Sequence, residues 1–230
     1  MHSPLYFPHP LIADKDGLLA VGGDLSIDRL ILAYRFGIFP WYSDDQPLLW
    51  WAPRERFIID VGQMHIPKSM RRYLNNPIFQ VTVDQHFDEV IHQCQQIPRR
   101  NQTGTWITDH MKQAYQQLHQ SGIAHSVEVW HESEIVAGLY GVGVGKIFSG
   151  ESMFTNLSDA SKFAVIMLNH ILAKLNFKIM DCQQYSRHME LLGGYSVDHK
   201  IYFEEIRQNL FNSLTPEKWS GELIPGPFRK

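Results

Sequence analysis

Apolar positions recur along this chain with two periods. Ile27, Leu30, Ile31 and Tyr34 form a helical stripe, with Ser26 suited to the N-cap and Gly37 to the left-handed residue past the end. Phe87, Val90, Ile91 and Cys94 mark a second helix. Met111, Ala114, Tyr115 and Leu118 mark a third, capped by Thr108 and closed by Gly122. A longer stripe, Phe163, Ile166, Met167, Ile171 and Leu175, follows Ser158 as its expected cap. A short helix is expected over 65–73 with Pro67 in its first turn, and a last one over 202–214, stopped by Pro216. Strands are expected at 79–83 and 177–181. The runs 126–130, 135–140 and 146–149, separated by polar or glycine turns, read as an antiparallel meander.

The first 60 residues have a different texture. Phe39-Pro40-Trp41-Tyr42 and Leu49-Trp50-Trp51-Ala52-Pro53 put prolines beside aromatics, which predicts irregular structure around a single helix. The chain therefore divides into a small N-terminal domain, 1–60, and a larger domain, 61–230. Mixed helices and strands around an antiparallel section make the fold class α+β.

Composition narrows the function classes. With 230 residues, 44% hydrophobic and 20% charged, the chain can bury a core, which excludes intrinsic disorder. No basic segment leads into an apolar one at the N-terminus, and the longest apolar run, 163–168, is too short to cross a bilayer. The two cysteines, Cys94 and Cys182, are too few for a disulfide framework, and the 12 His show no ligand spacing. A protein of a reducing compartment, the cytoplasm, is the expectation, with no membrane association. The net charge of −3 excludes a uniformly basic surface but leaves room for a local basic patch.

Five segments are more particular than core filler: Gly22-Gly23-Asp24-Leu25, Gly37-Ile38-Phe39-Pro40-Trp41, Gly104-Thr105-Trp106-Ile107-Thr108, Gly150-Glu151-Ser152-Met153-Phe154 and Asp181-Cys182-Gln183. In this order and spacing, over about Gly17 to Pro225, they resemble the leucyl/phenylalanyl-tRNA–protein transferase family. The resemblance implies a reaction: leucine or phenylalanine, with methionine left open, moves from aminoacyl-tRNA to the α-amine of a protein beginning with Arg or Lys. The product is marked for degradation. It implies a C-terminal domain like the GCN5-related N-acetyltransferase fold and no metal or organic cofactor.

It also implies site residues. Asp181 and Gln183 would sit at the reacting amine. A neutral amide is a poor base, so Gln183 is read as an orienting acceptor and Asp181 as its electrostatic partner. Glu151 matches an acidic position that would place the amine or pair with the acceptor's basic side chain. Trp41 and Trp106 match positions that hold the terminal adenosine, where stacking contributes about 1–3 kcal/mol per base. Leu139, Phe148, Met153 and Leu168 are the candidates for an apolar aminoacyl pocket. Lys68, Arg71 and Arg72 would meet the tRNA backbone, with Arg99 and Arg100 as a second basic pair.

The chemistry is self-consistent, because an aminoacyl ester is already activated and needs positioning, removal of a proton and oxyanion stabilisation. Cys182, between two proposed site residues on a strand, is read as core and not as a nucleophile. An acetyl-CoA enzyme would carry an Arg/Gln-x-x-Gly-x-Gly/Ala loop, which is absent. Gly141-Val142-Gly143-Val144-Gly145 links strands and opens no helix, so it is no dinucleotide loop. Cell-wall peptide transferases that use aminoacyl-tRNA usually need a longer chain. An RNA-binding module without catalysis is the non-enzymatic alternative. No amphipathic stretch lacks a core role, which points to a monomer.

Overall fold

A computed structural model describes residues 4–75, 78–97, 106–209 and 218–219. Its centre is a seven-stranded sheet of β4 (Glu55–Asp60), β5 (Gln80–Val83), β6 (Ala124–His131), β7 (Glu134–Val144), β8 (Ile147–Thr155), β9 (Ile179–Asp181) and β10 (Tyr195–Asp198). They lie in the order β10-β4-β9-β8-β7-β6-β5. All neighbours are antiparallel except β8 and β9, which run parallel and are joined through helix α5 (Ala160–Lys174). The meander predicted from alternation is β6-β7-β8, with each strand longer than its apolar run suggests.

Two core layers cover the sheet. On one face, α5 packs over β6, β7 and β8 with α2 (Lys68–Asn75) beside it, burying Val127, Ala137, Leu139, Phe148 and Leu168. On the other, α3 (Phe87–Gln96) and α4 (Asp109–Gln120) cover Ala124, Tyr140, Val142 and Phe154. The second core continues into the N-terminal segment, through α1 (Ile27–Arg35) and a small sheet of β1 (Leu18–Val21), β3 (Leu49–Trp51) and β2 (Phe39–Pro40). The expected irregular structure around α1 is thus an ordered three-stranded sheet. Trp50 is its buried anchor, donating to the Gly22 carbonyl at 2.9 Å.

Several boundaries differ from expectation for local reasons. The helix expected from residue 65 starts at Lys68, with the Pro67 carbonyl accepting from Met70 N–H. Ser158 does not cap α5; Asp159 precedes it at φ 67 and pairs with Lys162 instead. After the four-residue α6 (Arg187–Glu190), the last described helix, α7 (His199–Asn209), begins earlier than its stripe; 210–217, which hold Leu214 and Pro216, lie outside the described residues. β4 and β10 have no counterpart among the expected strands, and β4, grouped by sequence with the N-terminal segment, runs in the large sheet against β9 and β10. Gly141, Val142, Gly143 and Val144 are the end of β7 itself, and only Gly145 and Lys146 form the turn. Gly141 is needed there, because a Cβ would lie 2.3 Å from the Ser149 carbonyl oxygen.

Candidate active site

The site forms where β8 and β9 part. They pair only from Ile147/Ile179 to Ser149/Asp181. Beyond that point β8 continues to Thr155, while the other chain turns away. Opposite β7, Tyr140 faces Ser152 and Gly141 faces Gly150, so Glu151 is the extra residue of a β-bulge. One extra residue exchanges the faces of everything downstream. Phe148 and Met153 therefore pack on the α5 side, and Phe154 on the α3/α4 side.

On β9 the chain leaves the sheet at Gln183, which has φ 64, a left-handed conformation uncommon outside glycine and costing about 1–3 kcal/mol. Local bonds hold it. Asp181 Oδ1 accepts the Gln183 N–H at 2.8 Å, and the Gln183 carbonyl accepts from Phe57 N–H at 3.4 Å. Strand alternation alone does not explain how Asp181 and Gln183 come together; this turn does.

Asp181 is 0% exposed. Its oxygens accept from Arg56 Nε (2.8 Å) and Nη2 (2.6 Å), Tyr202 hydroxyl (2.7 Å), Ser149 Oγ (3.4 Å) and Gln183 N–H. Arg56 is itself held between the Phe39 and Tyr202 rings, at 4.9 and 4.8 Å. Burial works against the guanidinium charge, but Asp181 beside it outweighs that and raises its pKa. A carboxylate with five donors, a charge partner and no exposure has no free lone pair to offer a substrate.

Glu151 differs. Its Oε1 accepts from Gln183 Nε2 at 2.7 Å and its Oε2 from the Tyr115 hydroxyl at 2.9 Å. The Tyr115 hydroxyl lies 2.5 Å from that of Tyr34, so α1, α4 and β8 share one buried polar chain. Burial lifts the Glu151 carboxyl to about 7, against hydrogen bonds from Tyr34, Tyr115 and Gln183 that favour its charged form. Burial likewise pushes both tyrosines well above their usual range, keeping them neutral donors.

Two cavities meet here. One, of about 450 Å³, is mostly apolar, with Leu139, Met153, Val165, Leu168, Met180 and Met189 among its walls and Glu151, Asp181 and Cys182 at its rim. The other, of about 180 Å³, lies between Phe39, Pro40, Trp41, Trp106, Glu151, Cys182, Gln183 and Gln184. Glu151 and Cys182 border both. Burial, with Asp181 next to it, pushes the Cys182 thiol up, which keeps it protonated and non-nucleophilic.

The structure thus brings together Asp181, Gln183 and Glu151, the walls Leu139, Met153 and Leu168, and the pair Trp41 and Trp106. Phe148, the fourth residue expected at the aminoacyl pocket, is fully buried under Gly141 and beside Trp219 and lines neither of these two cavities. Its aromatic bulk supports the sheet. Lys68, Arg71 and Arg72 are exposed on α2, with Arg72 resting on the Tyr73 ring and 3.5 Å from Asp159. Arg99, Arg100, Gly104 and Thr105 lie outside the described residues. Arg56, Tyr202, Tyr34 and Tyr115 escape a reading of the sequence. The tyrosines sit on apolar helical stripes, and a lone Arg beside a run of apolar residues carries no sign of being buried.

Among the described residues no group of three His, Cys, Asp or Glu could hold a metal ion, and no helix is long and apolar enough to cross a membrane.

A mixed sheet with a parting parallel pair, an apolar cavity beside an aromatic one and a buried carboxylate bordering both make up the candidate active site. Comparison with known proteins makes it specific. The family described as "Leucyl/phenylalanyl-tRNA protein transferase" matches residues 58–207, and its N-terminal domain matches 23–54. The transferase of that name from Oleidesulfovibrio alaskensis is 46% identical over 98% of this chain and 92% of its own. That of Syntrophus aciditrophicus is 49% identical over 96% and 95%. That of Flavobacterium johnsoniae is 49% identical over 88% and 96%. The chain belongs to the leucyl/phenylalanyl-tRNA–protein transferase family and is an aminoacyltransferase. A solved structure titled "The structure of L-PGS from Bacillus licheniformis" superposes loosely, with a TM-score of 0.40 at 15% identity over 68% of this chain and 49% of its own.

Proposed function

We propose that this enzyme moves leucine or phenylalanine from aminoacyl-tRNA to the α-amine of proteins beginning with Arg or Lys. The observation that carries the proposal is the family match spanning both parts of the chain. The site supports it: the aminoacyl side chain enters the cavity walled by Leu139, Met153 and Leu168, and the terminal adenosine lies against Trp41 and Trp106. The ester then falls between them, beside Glu151 and Gln183. Gln183 donates its amide N–H to Glu151, which leaves its carbonyl oxygen to orient the incoming amine. Asp181 acts at one remove, holding the Gln183 turn in place. Lys68, Arg71 and Arg72 meet the tRNA backbone.

The same proposal includes a monomer working in the cytoplasm, a small N-terminal domain followed by a catalytic domain that starts at β4, near residue 55 and not 61, and an acyltransferase-like arrangement of that domain. Since β4 pairs inside the large sheet, its six residues go with the catalytic part.

The test is a transfer assay with leucyl-tRNA carrying labelled leucine, a peptide starting with Arg and a control starting with Gly. Label in the Arg peptide alone supports the proposal. Bound tRNA with neither peptide labelled would instead favour an RNA-binding module.

A further inference from the structure

We propose that Glu151 is the proton shuttle of the transfer, taking a proton from the attacking amine and returning it to the departing ribose oxygen, with Tyr115 and Tyr34 as its positioning residues. This rests on the transferase reading and assigns a role within the same site.

The geometry selects Glu151 by where it stands and by what Asp181 lacks. An aminoacyl ester joins an amino-acid half to an adenosine half, so its carbonyl carbon must lie where the two cavities meet. Among the described residues that line them, Glu151 is the carboxylate bordering both; Asp181 borders only the apolar one. Asp181 is also saturated by Arg56, Tyr202, Ser149 and the Gln183 N–H. Glu151 instead takes single hydrogen bonds from neutral groups, Gln183 on Oε1 and Tyr115 on Oε2 with Tyr34 beside it, and carries no two-pronged guanidinium such as holds Asp181. The β-bulge explains the placement, since it sets Glu151 apart from the regular ladder at the point where β9 leaves β8.

The step balances without any further reagent. The amine nitrogen forms a bond to the ester carbonyl carbon and gives its surplus proton to the Glu151 carboxylate. The tetrahedral intermediate then breaks its bond to the ribose oxygen, which receives that proton from Glu151. Amide and free ribose hydroxyl result, and the carboxylate is restored. A shuttle must exist in both protonation states near neutrality, and the group facing this junction does, its carboxyl being lifted by burial to about 7. The titratable and charged groups around it are Tyr34 on α1, Tyr115 on α4, Tyr140 on β7, and Asp181 and Cys182 at the end of β9, with Arg56 behind Asp181. Tyr34, Tyr115 and the Cys182 thiol stay neutral, and the Asp181 charge is paired with Arg56, which leaves Glu151 as the carboxyl facing the junction without a cation beside it.

Tyr115 and Tyr34 set how readily it does so. A hydroxyl donated to a carboxylate favours the charged form, so removing one moves Glu151 up. Neither tyrosine needs to touch substrate.

The experiment measures kcat/KM for labelled leucine transfer to the Arg peptide from pH 5.5 to 8.5, with leucyl-tRNA binding measured separately for wild type, Glu151→Gln and Tyr115→Phe. In wild type, two groups must lose a proton, Glu151 and the acceptor amine (about 7.7–8.0), so log kcat/KM rises with a limiting slope of about two at low pH. Glu151→Gln should bind tRNA as wild type does, lose about 10²–10⁴-fold in rate and keep a slope of about one, from the amine alone. Tyr115→Phe should stay active with its lower limb displaced to higher pH. A slope of one in wild type, or a Glu151→Gln profile that keeps both ionisations within about threefold of the wild-type rate, overturns the shuttle while the transferase reading stands. An unmoved limb in Tyr115→Phe overturns the positioning role, even if Glu151→Gln fails to fold. A wild-type protein that labels neither peptide at any pH overturns the transferase reading and the shuttle with it.

Discussion

Arg56 grips Asp181 through two parallel bonds of 2.8 and 2.6 Å, in a place neither side chain shares with solvent. The pair connects three parts of the fold: β4, the end of β9 and, through the Tyr202 hydroxyl, α7. Removing one partner of such a pair leaves an uncompensated buried charge, which costs about 3–5 kcal/mol. Asp181→Ala should therefore lower the denaturant midpoint substantially, together with any loss of transfer. Its inactivity would not by itself place Asp181 at the chemistry. Asp181→Asn keeps the size and some of the hydrogen bonds but still strands the Arg56 charge. The double replacement Arg56→Met with Asp181→Leu should recover most of the stability and none of the activity, because Gln183 would lose the acceptor that holds its turn. Recovery of activity along with stability would show that the Gln183 turn does not need Asp181.

The pH dependence of stability reports Glu151 separately from catalysis. Its carboxyl sits at about 7 in the folded protein against 4.5 ordinarily. The native state thus binds more protons than the unfolded chain between these values, and the contribution to stability falls as pH rises through that window, then levels off. At about 1.36 kcal/mol per unit, the difference is on the order of 3 kcal/mol. Urea unfolding of wild type and Glu151→Gln at pH 4.5 and 8 isolates it. The variant should gain relative to wild type on going to pH 8, because Gln carries no charge to bury. An equal difference at both pH values would mean that Glu151 titrates as an ordinary carboxyl.

How much of this is legible in the chain follows from what periodicity records. Helices α1, α3, α4 and α5 declare themselves because each shows an apolar stripe, and β6-β7-β8 because alternation and turns coincide. The short strands β1, β2, β3, β4 and β10 carry two to six residues each, too few for a local period to mark them, and β4 and β10 pair with strands distant in sequence. The same limit governs the site. Gln183, Glu151, Trp41 and Trp106 stand in motifs, and the fold sets all four around one cavity. Arg56 and Tyr202 act through contacts with Asp181 that, for Arg56, span more than a hundred residues, which no spacing rule reveals. Phe148 shares the α5 face with Met153, but near the start of β8 it is covered by Gly141 and Trp219 and does not open on the cavity, and no spacing within β8 records that cover.

Gly37 gives a prediction that joins the N-terminal segment to the site. It lies past the end of α1 with φ 68, and a Cβ there would lie 2.6 Å from Ile206 Cδ1 and 2.7 Å from Tyr202 Cε1. Both the backbone conformation and the space call for glycine. Gly37→Ala should destabilise by more than the roughly 1 kcal/mol that a left-handed alanine costs alone, since α7 must also shift. The shift moves Tyr202, which donates to Asp181, so transfer activity should fall further than the loss of folded protein accounts for. Thermal unfolding with activity normalised to folded fraction checks both halves. An alanine variant with unchanged midpoint would show that α7 yields without cost.

The exposed cations of α2 should contribute unequally to tRNA binding, and their surroundings say in what order. Lys68 and Arg71 are exposed with no acidic partner among the described ion pairs, whereas Arg72 lies over Tyr73 and 3.5 Å from Asp159. Although 68% exposed, Arg72 shares its charge with a carboxylate, so its pull on a phosphate is partly offset. Taking away a cation that neutralises one phosphate should reduce the slope of log K against log salt by about 0.7–0.9. Arg71→Ala and Lys68→Ala should each lower both affinity at low salt and that slope, and Arg72→Ala should lower them less. Asp159→Asn frees Arg72, and Lys162 with it, without removing either, and should strengthen binding if this face meets the RNA; the gain that Arg72→Ala abolishes in the Asp159→Asn background belongs to Arg72. Filter binding of an aminoacyl-tRNA over a series of salt concentrations measures all of these variants. Parallel slopes for wild type and all three cation variants would place the RNA backbone away from α2.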